Sequence, residues 1–244
     1  MARTRLNREL ILKTGIRLAD ESGIESLSMR RLARELGVEA MSLYNHVASK
    51  AELVDAMADV VMAEVELPED GDWRAAIRQC ATSAHEALLR HPWACGLLIA
   101  PTSVPTAATP RIHYMEWLMR RLREAGFSPK LTYSAYHALD SHIFGFTLWQ
   151  LGHAAGAAML GDRDLAEWVA EFLRTLPAEE FSHFTEHVHQ HLAAPKGDGA
   201  REYEFALDLI LDGLEQRRGT PGRRRRAAGS TSARAGRPSP GRGR

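Results

Sequence analysis

Residues 29–47 read Met-Arg-Arg-Leu-Ala-Arg-Glu-Leu-Gly-Val-Glu-Ala-Met-Ser-Leu-Tyr-Asn-His-Val. Apolar residues recur at helical spacing behind Ser28, a good N-cap, and Gly37 then suits the left-handed turn that ends a helix. A short second helix follows, in which Leu43 and Val47 share one face. A supporting amphipathic helix precedes this stretch. The order of elements predicts a helix-turn-helix unit over residues 7–50 that reads duplex DNA.

The second helix of this unit is expected to form the surface that contacts DNA. Leu43 and Val47 anchor it, which frees the other side chains for the major groove or its walls. These side chains are Ala40, Met41, Ser42, Tyr44, Asn45 and His46. Lys50 and the backbone of Ser49 start the next helix, where N–H groups favour a phosphate. Taken singly, Tyr44 could equally be half-buried core and Met41 a filler, whereas the whole unit is specific because its parts occur in order.

The remainder of the chain predicts an all-α fold, because helical periodicity recurs and no period-two alternation is sustained. Further helices are expected over residues 49–66, 72–91, 111–125, 129–151, 164–173, 178–192 and 200–217. A turn at 68–71 and a Pro- and Thr-rich loop at 101–110 interrupt them. The predicted organisation is a three-helix DNA-binding head over 1–66, a larger helical domain over 72–217 and a disordered Arg-rich tail over 218–244.

The net charge of zero, from 31 basic and 31 acidic residues, conceals a strong segregation. Residues 1–50 carry nine Lys and Arg against six Asp and Glu, and residues 217–244 carry ten Arg and no acid. The middle of the chain is strongly acidic. The basic ends, rather than the body, are therefore expected to meet a polyanion.

Several protein classes are excluded by composition. No stretch reaches the ~18 consecutive apolar residues of a membrane span, and the basic start leads into an amphipathic segment rather than a secretion signal. Cys80 and Cys95 lack metal or redox spacing, so both are expected to be reduced core thiols. A cytoplasmic protein without membrane partners is expected.

The last predicted helix has two apolar faces. One stripe holds Phe205, Ala206, Leu209, Ile210 and Gly213, and a second holds Leu207, Leu211 and Leu214. Asp208, Asp212 and Glu215 are left for water. One stripe is expected to face the core and the other a partner, and the candidates for the partner face are Phe205, Leu209, Ile210 and Gly213.

The head resembles that of the tetracycline-repressor (TetR) family of regulators, nearly without gaps from Gly23 to Leu53. The shared pattern includes the Leu-Tyr-x-His element at 43–46 and the Lys-x-x-Leu element at 50–53. The resemblance implies that Tyr44, His46 and Lys50 contact the phosphate backbone. It implies that Arg30, Glu39, Ala40, Met41 and Ser42 face base edges. Ser28 and Asn45 complete the set of residues that are expected to bind DNA. Arg30 is the expected guanine reader, because arginine can make paired hydrogen bonds to that base.

The body resembles the C-terminal domain of tetracycline repressors at residues 72–74, 87–90 and 205–215. That resemblance implies a small-molecule pocket and a dimer formed by the long 129–151 helix and the final helix. Candidate pocket residues are mostly aromatic, with a few polar groups. They are His113, Trp117, Tyr133, Tyr136, His137, Asp140, Phe144 and Trp149. Tetracycline repressors bind a magnesium–drug complex through a histidine and a glutamate. Trp149 stands at the glutamate position, so tetracycline is not the expected effector.

Three other interpretations compete with a ligand-released repressor. His183, His187, His189 and His191 have spacings compatible with metal binding, but a solvated histidine face is the expected reading, with no metal or cofactor. An enzymatic body is disfavoured, because the sequence shows no nucleophile elbow, phosphate loop or paired-carboxylate motif. The arginine tail alternatively indicates a nonspecific nucleic-acid-binding protein.

Overall fold

The computed structural model describes residues 6–102, 108–159, 164–177, 179–193 and 199–218. Throughout these ranges the regular structure is helical and no strand occurs, which confirms the all-α prediction. The helices are α1 (Arg8–Ser22), α2 (Met29–Leu36), α3 (Ala40–Leu43), α4 (Lys50–Met62), α5 (Trp73–Arg90), α6 (Ala94–Ile99), α7 (Pro110–Glu124), α8 (Pro129–Met159), α9 (Leu165–Arg174), α10 (Ser182–Ala193) and α11 (Gly199–Arg218). The predicted disordered tail lies outside the described residues apart from Arg218, which ends α11.

The first four helices pack around buried apolar residues that continue into the core of the body. Ile11 of α1, Leu32 of α2, Leu43 of α3 and Leu53 of α4 are fully buried. Helices α1 and α4 approach closely at Gly15, where an added Cβ would lie 2.8 Å from the sulfur of Met57. This packing fixes the position of α3, a helix of four residues that could not persist alone.

Several helix boundaries differ from the sequence-based predictions, among them the end of α4 at Met62 instead of 66 and the start of α10 at Ser182 instead of 178, and one helix was not predicted. Helix α3 ends at Leu43 instead of Val47, because the chain turns at residues 44–46. Helix α6 was not predicted, since an apolar run of six residues shortly after Pro92 carries too little periodicity to distinguish a helix from a loop. Helix α8 continues to Met159 instead of 151, through a glycine- and alanine-rich segment.

The body is built around α5, α8 and α11. One stripe of α11 is buried against the other two helices, as expected for Leu207, Leu211 and Leu214. Tyr203 precedes this stripe; its hydroxyl donates to the carbonyl of Ala81 at 2.7 Å, and its ring stacks on His85 at 4.1 Å between centroids. The core therefore closes over aromatic and histidine rings in addition to aliphatic side chains.

The acids of α11 are not simply exposed to water as expected. Asp212 pairs with Arg74, and Asp208 pairs with Arg78, both on α5. The Arg78 guanidinium lowers the pKa of the Asp208 carboxyl. These two pairs flank the buried stripe, so they fix the register of α11 along α5.

Cys80 and Cys95 are both buried and unpaired, as predicted. Burial raises the pKa of the Cys95 thiol to about 11 and that of Cys80 further still. No helix in the described ranges is both long and apolar enough to cross a bilayer.

Candidate DNA-binding surface and effector cavity

Two caps place the helices of the DNA-binding unit. The hydroxyl of Ser28 accepts a hydrogen bond from the backbone N–H of Arg31 at 3.2 Å and starts α2. Gly37 ends α2 at φ 66°, a left-handed conformation that favours glycine. The chain therefore reverses tightly into α3. Leu43 and Val47, 0% and 1% exposed, hold α3 against the core as the sequence predicted.

The residues predicted to meet DNA lie on the outside of this unit. Met41 is 75% exposed, so its apolar side chain is free to contact a partner surface. Tyr44 is also exposed, at 44%. The remaining predicted residues divide by burial. Ser28, Arg30, Glu39, Asn45 and Lys50 are exposed, and Ala40, Ser42 and His46 are half-buried.

The cations of the head divide into paired and free ones. Arg17 pairs with Glu21 and Glu35 and has a raised pKa through those hydrogen bonds. By contrast, no ion pair between described residues involves Arg30 or Lys50. An exposed cation without a carboxylate partner is available to a phosphate or a base edge.

The start of α4 carries a double cap beside Lys50. Ser49 accepts from the backbone N–H of Glu52, and Glu52 in turn accepts from the N–H of Ala48 at 2.6 Å. Glu52 also pairs with Arg8 at 3.1 Å. The Glu52 carboxylate and the Ser49 hydroxyl each occupy one backbone N–H that an anion would otherwise use. The Lys50 ammonium is therefore the better candidate for phosphate binding at this end.

A cavity of about 70 Å³ lies in the body between α4, α6, α7 and α8. Its apolar walls are Met62, Leu98, Met115 and Phe144. Its polar lining consists of Arg111, Tyr114, Tyr136 and Asp140. The mixture of aromatic, flexible and polar groups suits a small-molecule site, although the volume is well below the ~300 Å³ at which such sites usually begin.

Asp140 is the centre of a partly buried hydrogen-bond network on one cavity wall. Its Oδ1 accepts from the hydroxyl of Tyr114 at 2.7 Å. Burial raises the pKa of Asp140, opposed by hydrogen bonds from Tyr136 and Tyr114 and by the charge of His137. Burial raises the pKa of both tyrosines, and the Asp140 carboxylate raises it further. The three groups satisfy one another and keep both hydroxyls protonated.

Arg111 on another wall is not satisfied in this way. Its nearest acid is Asp59 of α4, with Nη2 and Oδ1 3.6 Å apart, beyond hydrogen-bonding distance. Both side chains are mostly buried, at 13% and 19% exposed. The buried Nε of Arg111 and Oδ1 of Asp59 make no hydrogen bond with the described part of the chain. This loose pair connects the cavity to the DNA-binding unit, because α4 belongs to both.

The eight predicted ligand residues are not all at this cavity. Tyr136, Asp140 and Phe144 line it. Trp117 is buried in the core instead, and its indole N–H donates to the carbonyl of Pro68 at 3.2 Å. The other four are on the surface. His113, His137, Tyr133 and Trp149 are exposed, the last two at 68% and 46%.

The lining residues that sequence reasoning missed are Met62, Leu98, Arg111, Tyr114 and Met115. Tyr114 and Met115 are separated from the predicted His113 by only one or two positions, and the face of α7 was misassigned. Met62 and Leu98 have no distinguishing signal, because an apolar residue in an amphipathic helix is normally core. Arg111 follows Pro110 at the start of a helix, where an arginine opposes the helix dipole, and that was a usable signal.

Other contacts join the head to the body. Asp55 of α4 is 7% exposed and accepts from the hydroxyl and the backbone N–H of Thr102, at 2.8 and 3.1 Å. Asp20 of α1 accepts from the indole N–H of Trp93 at 2.7 Å. Any displacement of α4 would therefore change both the shape of the cavity and the orientation of the head.

The predicted dimer stripe is on the open side of α11. Phe205 and Leu209 are 62% and 59% exposed, and Ile210 and Gly213 are half-buried. Leu148 and Trp149 of α8 are also exposed apolar residues, at 44% and 46%. The apolar surface thus extends over two helices.

The histidines of α10 are exposed. His183, His187, His189 and His191 all lie at the surface. Within the described ranges, no group of three or more His, Cys, Asp or Glu is arranged to hold a metal ion.

Two family profiles match the chain. The profile described as bacterial regulatory proteins, tetR family, matches residues 11–57, and that described as tetracyclin repressor-like, C-terminal domain, matches residues 66–218. The chain is 33% identical over 223 residues to the HTH-type transcriptional repressor DrrR1 of Streptomyces coeruleorubidus, covering 88% of this chain and 80% of DrrR1. It is 34% identical over 218 residues to tetracycline repressor protein class D of Escherichia coli, covering 86% and 90%.

A solved structure of similar fold is that of ActR from Streptomyces coelicolor in complex with actinorhodin, with a TM-score of 0.70 and 30% identity. The match covers 89% of this chain and 100% of ActR. The two relatives named above are transcriptional repressors. Because the C-terminal profile alone spans more than half of the sequence, and because these relatives match over most of their length, the chain belongs to the TetR family of bacterial regulatory proteins.

Proposed function

We propose that this chain is a homodimeric repressor that binds a near-palindromic operator and releases it when a small molecule enters the body. The observation that carries the proposal is the helix-turn-helix unit with a closed core and an open outer face. Met41, Tyr44, Arg30 and Lys50 are all exposed there, although the helices beneath them are fully packed. Membership of a family of DNA-binding regulators supports this reading.

The proposal divides the DNA-facing residues by role. Arg30 reads a guanine, and Glu39, Ala40, Met41 and Ser42 lie against base edges in the major groove. Tyr44, His46 and Lys50 bind phosphates, with Ser28 and Asn45 at the edges of the contact. Residues 1–66 form the DNA-binding domain and residues 72–217 the ligand-binding and dimerisation domain. Because its partner is DNA, we place the protein in the cytoplasm.

Dimerisation follows from the same proposal, because one head spans only half of a symmetric site. The exposed stripe of Phe205 and Leu209, with Ile210 and Gly213 at its side, supplies the interface, together with α8. The effector binds in the cavity beside Tyr136, Asp140 and Phe144. The ActR structure, which contains actinorhodin, supports a small-molecule role for a body of this shape.

An enzymatic body is not part of the proposal, and the named relatives support a purely regulatory role. Nonspecific binding through the arginine-rich tail is the main alternative, and nuclease footprinting on genomic fragments separates the two. A repressor protects one short symmetric sequence. A chain that binds through its tail protects all sequences evenly, and truncation after residue 218 abolishes that protection. Even protection by the full chain would overturn the proposal.

A further inference from the structure

We infer that, within the regulator proposed above, the effector is an aromatic molecule with an acidic group, and that this group takes Arg111 away from Asp59. The inference concerns the cavity between α4, α6, α7 and α8. It names the chemical class of the effector and the contact through which binding reaches the DNA-binding unit.

The walls of the cavity favour an aromatic ligand. Phe144, Tyr136 and Tyr114 supply ring faces and edges, and Met62 and Met115 supply flexible thioethers that adapt to a flat ring. The hydroxyls of the tyrosines are directed at Asp140, so they leave mainly hydrocarbon surface for a ligand. An aliphatic or strongly polar molecule would use these walls poorly.

Arg111 is the polar lining residue that needs a hydrogen-bond acceptor from the ligand. Its buried Nε makes no hydrogen bond with any described residue, and its distance of 3.6 Å to Asp59 is too long for one. A buried donor without an acceptor is costly, and a planar guanidinium is best satisfied by two parallel hydrogen bonds to one carboxylate. An acidic group on the ligand would supply both acceptors.

The size of the cavity couples binding to movement. A volume of about 70 Å³ holds only a few water molecules, whereas even a two-ring aromatic acid needs more than twice that space. The ligand must therefore displace a wall. Helix α8 is fixed in the body core by Leu139 and Ile143, which are 0% and 2% exposed. Helix α4 is as deeply buried, at Met57 and Val61, and contributes Met62 to the lining. Because α4 also carries Asp59, the group that the ligand would separate from Arg111, we place the displacement on α4.

The acidic group of the ligand and Asp59 compete for Arg111, and this competition determines the direction in which α4 moves. Oδ1 of Asp59 has no hydrogen bond of its own in the described structure. Once Arg111 pairs with the ligand, Asp59 loses the one cation that pairs with it among the described residues, and it is better solvated if α4 moves outward. The ligand thus prefers a state in which α4, and the head fused to it, is displaced.

The test of the ligand class uses 2-naphthoate and 2-naphthamide, which share a ring system and differ in charge. Titration calorimetry on the full chain should show saturable binding of the acid and at least about tenfold weaker binding of the amide. Arg111→Gln should abolish the preference, and Arg111→Lys should retain part of it. Equal binding of acid and amide, or no saturation by the acid below about 1 mM, would overturn the inference.

The test of the coupling uses Asp59→Asn, with Glu69→Gln as the matched control. Glu69 is also an acid paired with an arginine, Arg120 at 2.8 Å, but it lies outside the cavity lining. Asp59→Asn should bind 2-naphthoate about tenfold tighter, because the competing carboxylate is gone. The acid should weaken operator binding by at least about fivefold in the parent chain and in the control, but not in Asp59→Asn.

An unchanged affinity of Asp59→Asn for the acid would contradict the competition with Asp59. The ligand-free footprint separates this result from a failure of the proposed function. A symmetric protected site with no acid preference refutes the inference alone, whereas loss of the site itself refutes the repressor.

Discussion

Single residues of the head differ in what they can contribute to DNA recognition. Arg30 has a fork of donors and no acid partner among the described residues, so it can discriminate between bases. Lys50 is a point charge at a helix start, which suits a phosphate but carries no sequence information. Both side chains are exposed, so it is the chemistry of each that distinguishes base reading by Arg30 from phosphate binding by Lys50.

We therefore expect opposite signatures from two substitutions. Arg30→Ala should cost about 1–3 kcal/mol on the preferred operator and relax discrimination at one base pair in each half-site. Lys50→Ala should weaken binding to all sequences about equally and reduce the salt slope by about one. Competition titrations with single-base operator variants at several salt concentrations measure both effects. Unchanged sequence preference in Arg30→Ala would assign base reading to another residue.

At the scale of elements, the exposed stripe of α11 can be tested as the dimer interface. Leu209 is 59% exposed, so Leu209→Arg should leave the fold of each subunit intact. In a symmetric dimer the charge enters the interface twice, which should raise the dissociation constant at least about hundredfold. Sedimentation velocity and operator binding should both show the loss. Leu209→Met, which stays apolar, is the control. A dimer that survives Leu209→Arg would exclude this face.

At the scale of elements, the sequence was most informative where periodicity and caps agree. Ser28, Gly37 and Asp72 marked helix ends that the structure confirms. It failed at α6, whose six residues give no measurable period, and at the face of α7 that lines the cavity. The predicted aromatic residues Tyr133 and Trp149 are exposed, because residue type does not reveal which side of a long helix meets the core. The missed Arg111 shows that a cavity is defined by tertiary packing.

At the scale of the whole molecule, the rings of His85 and His142 are part of the packing of the body. His85 is 4% exposed, and burial lowers its pKa to about 4. Thr147 donates its hydroxyl proton to the carbonyl of Ile143 at 2.6 Å, so it must accept from Nδ1 of His85, 2.7 Å away. His142, which also stacks on Tyr203, has a lowered pKa for the same reason. The core is therefore built for uncharged rings.

The stability of the whole chain should consequently depend on pH. In the unfolded chain His85 titrates near its ordinary pKa of ~6.5, whereas in the folded chain it resists protonation down to about pH 4. Between these values the unfolded state binds more protons. The contribution of His85 to stability is therefore complete above pH ~6.5 and is lost progressively as the pH falls toward 4.

The variant His85→Phe tests this dependence, because it keeps a ring against Tyr203 but cannot titrate. Urea unfolding from pH 7 to pH 4.5 should show a smaller decline for His85→Phe than for the parent chain, and equal declines would mean that His85 is not buried uncharged.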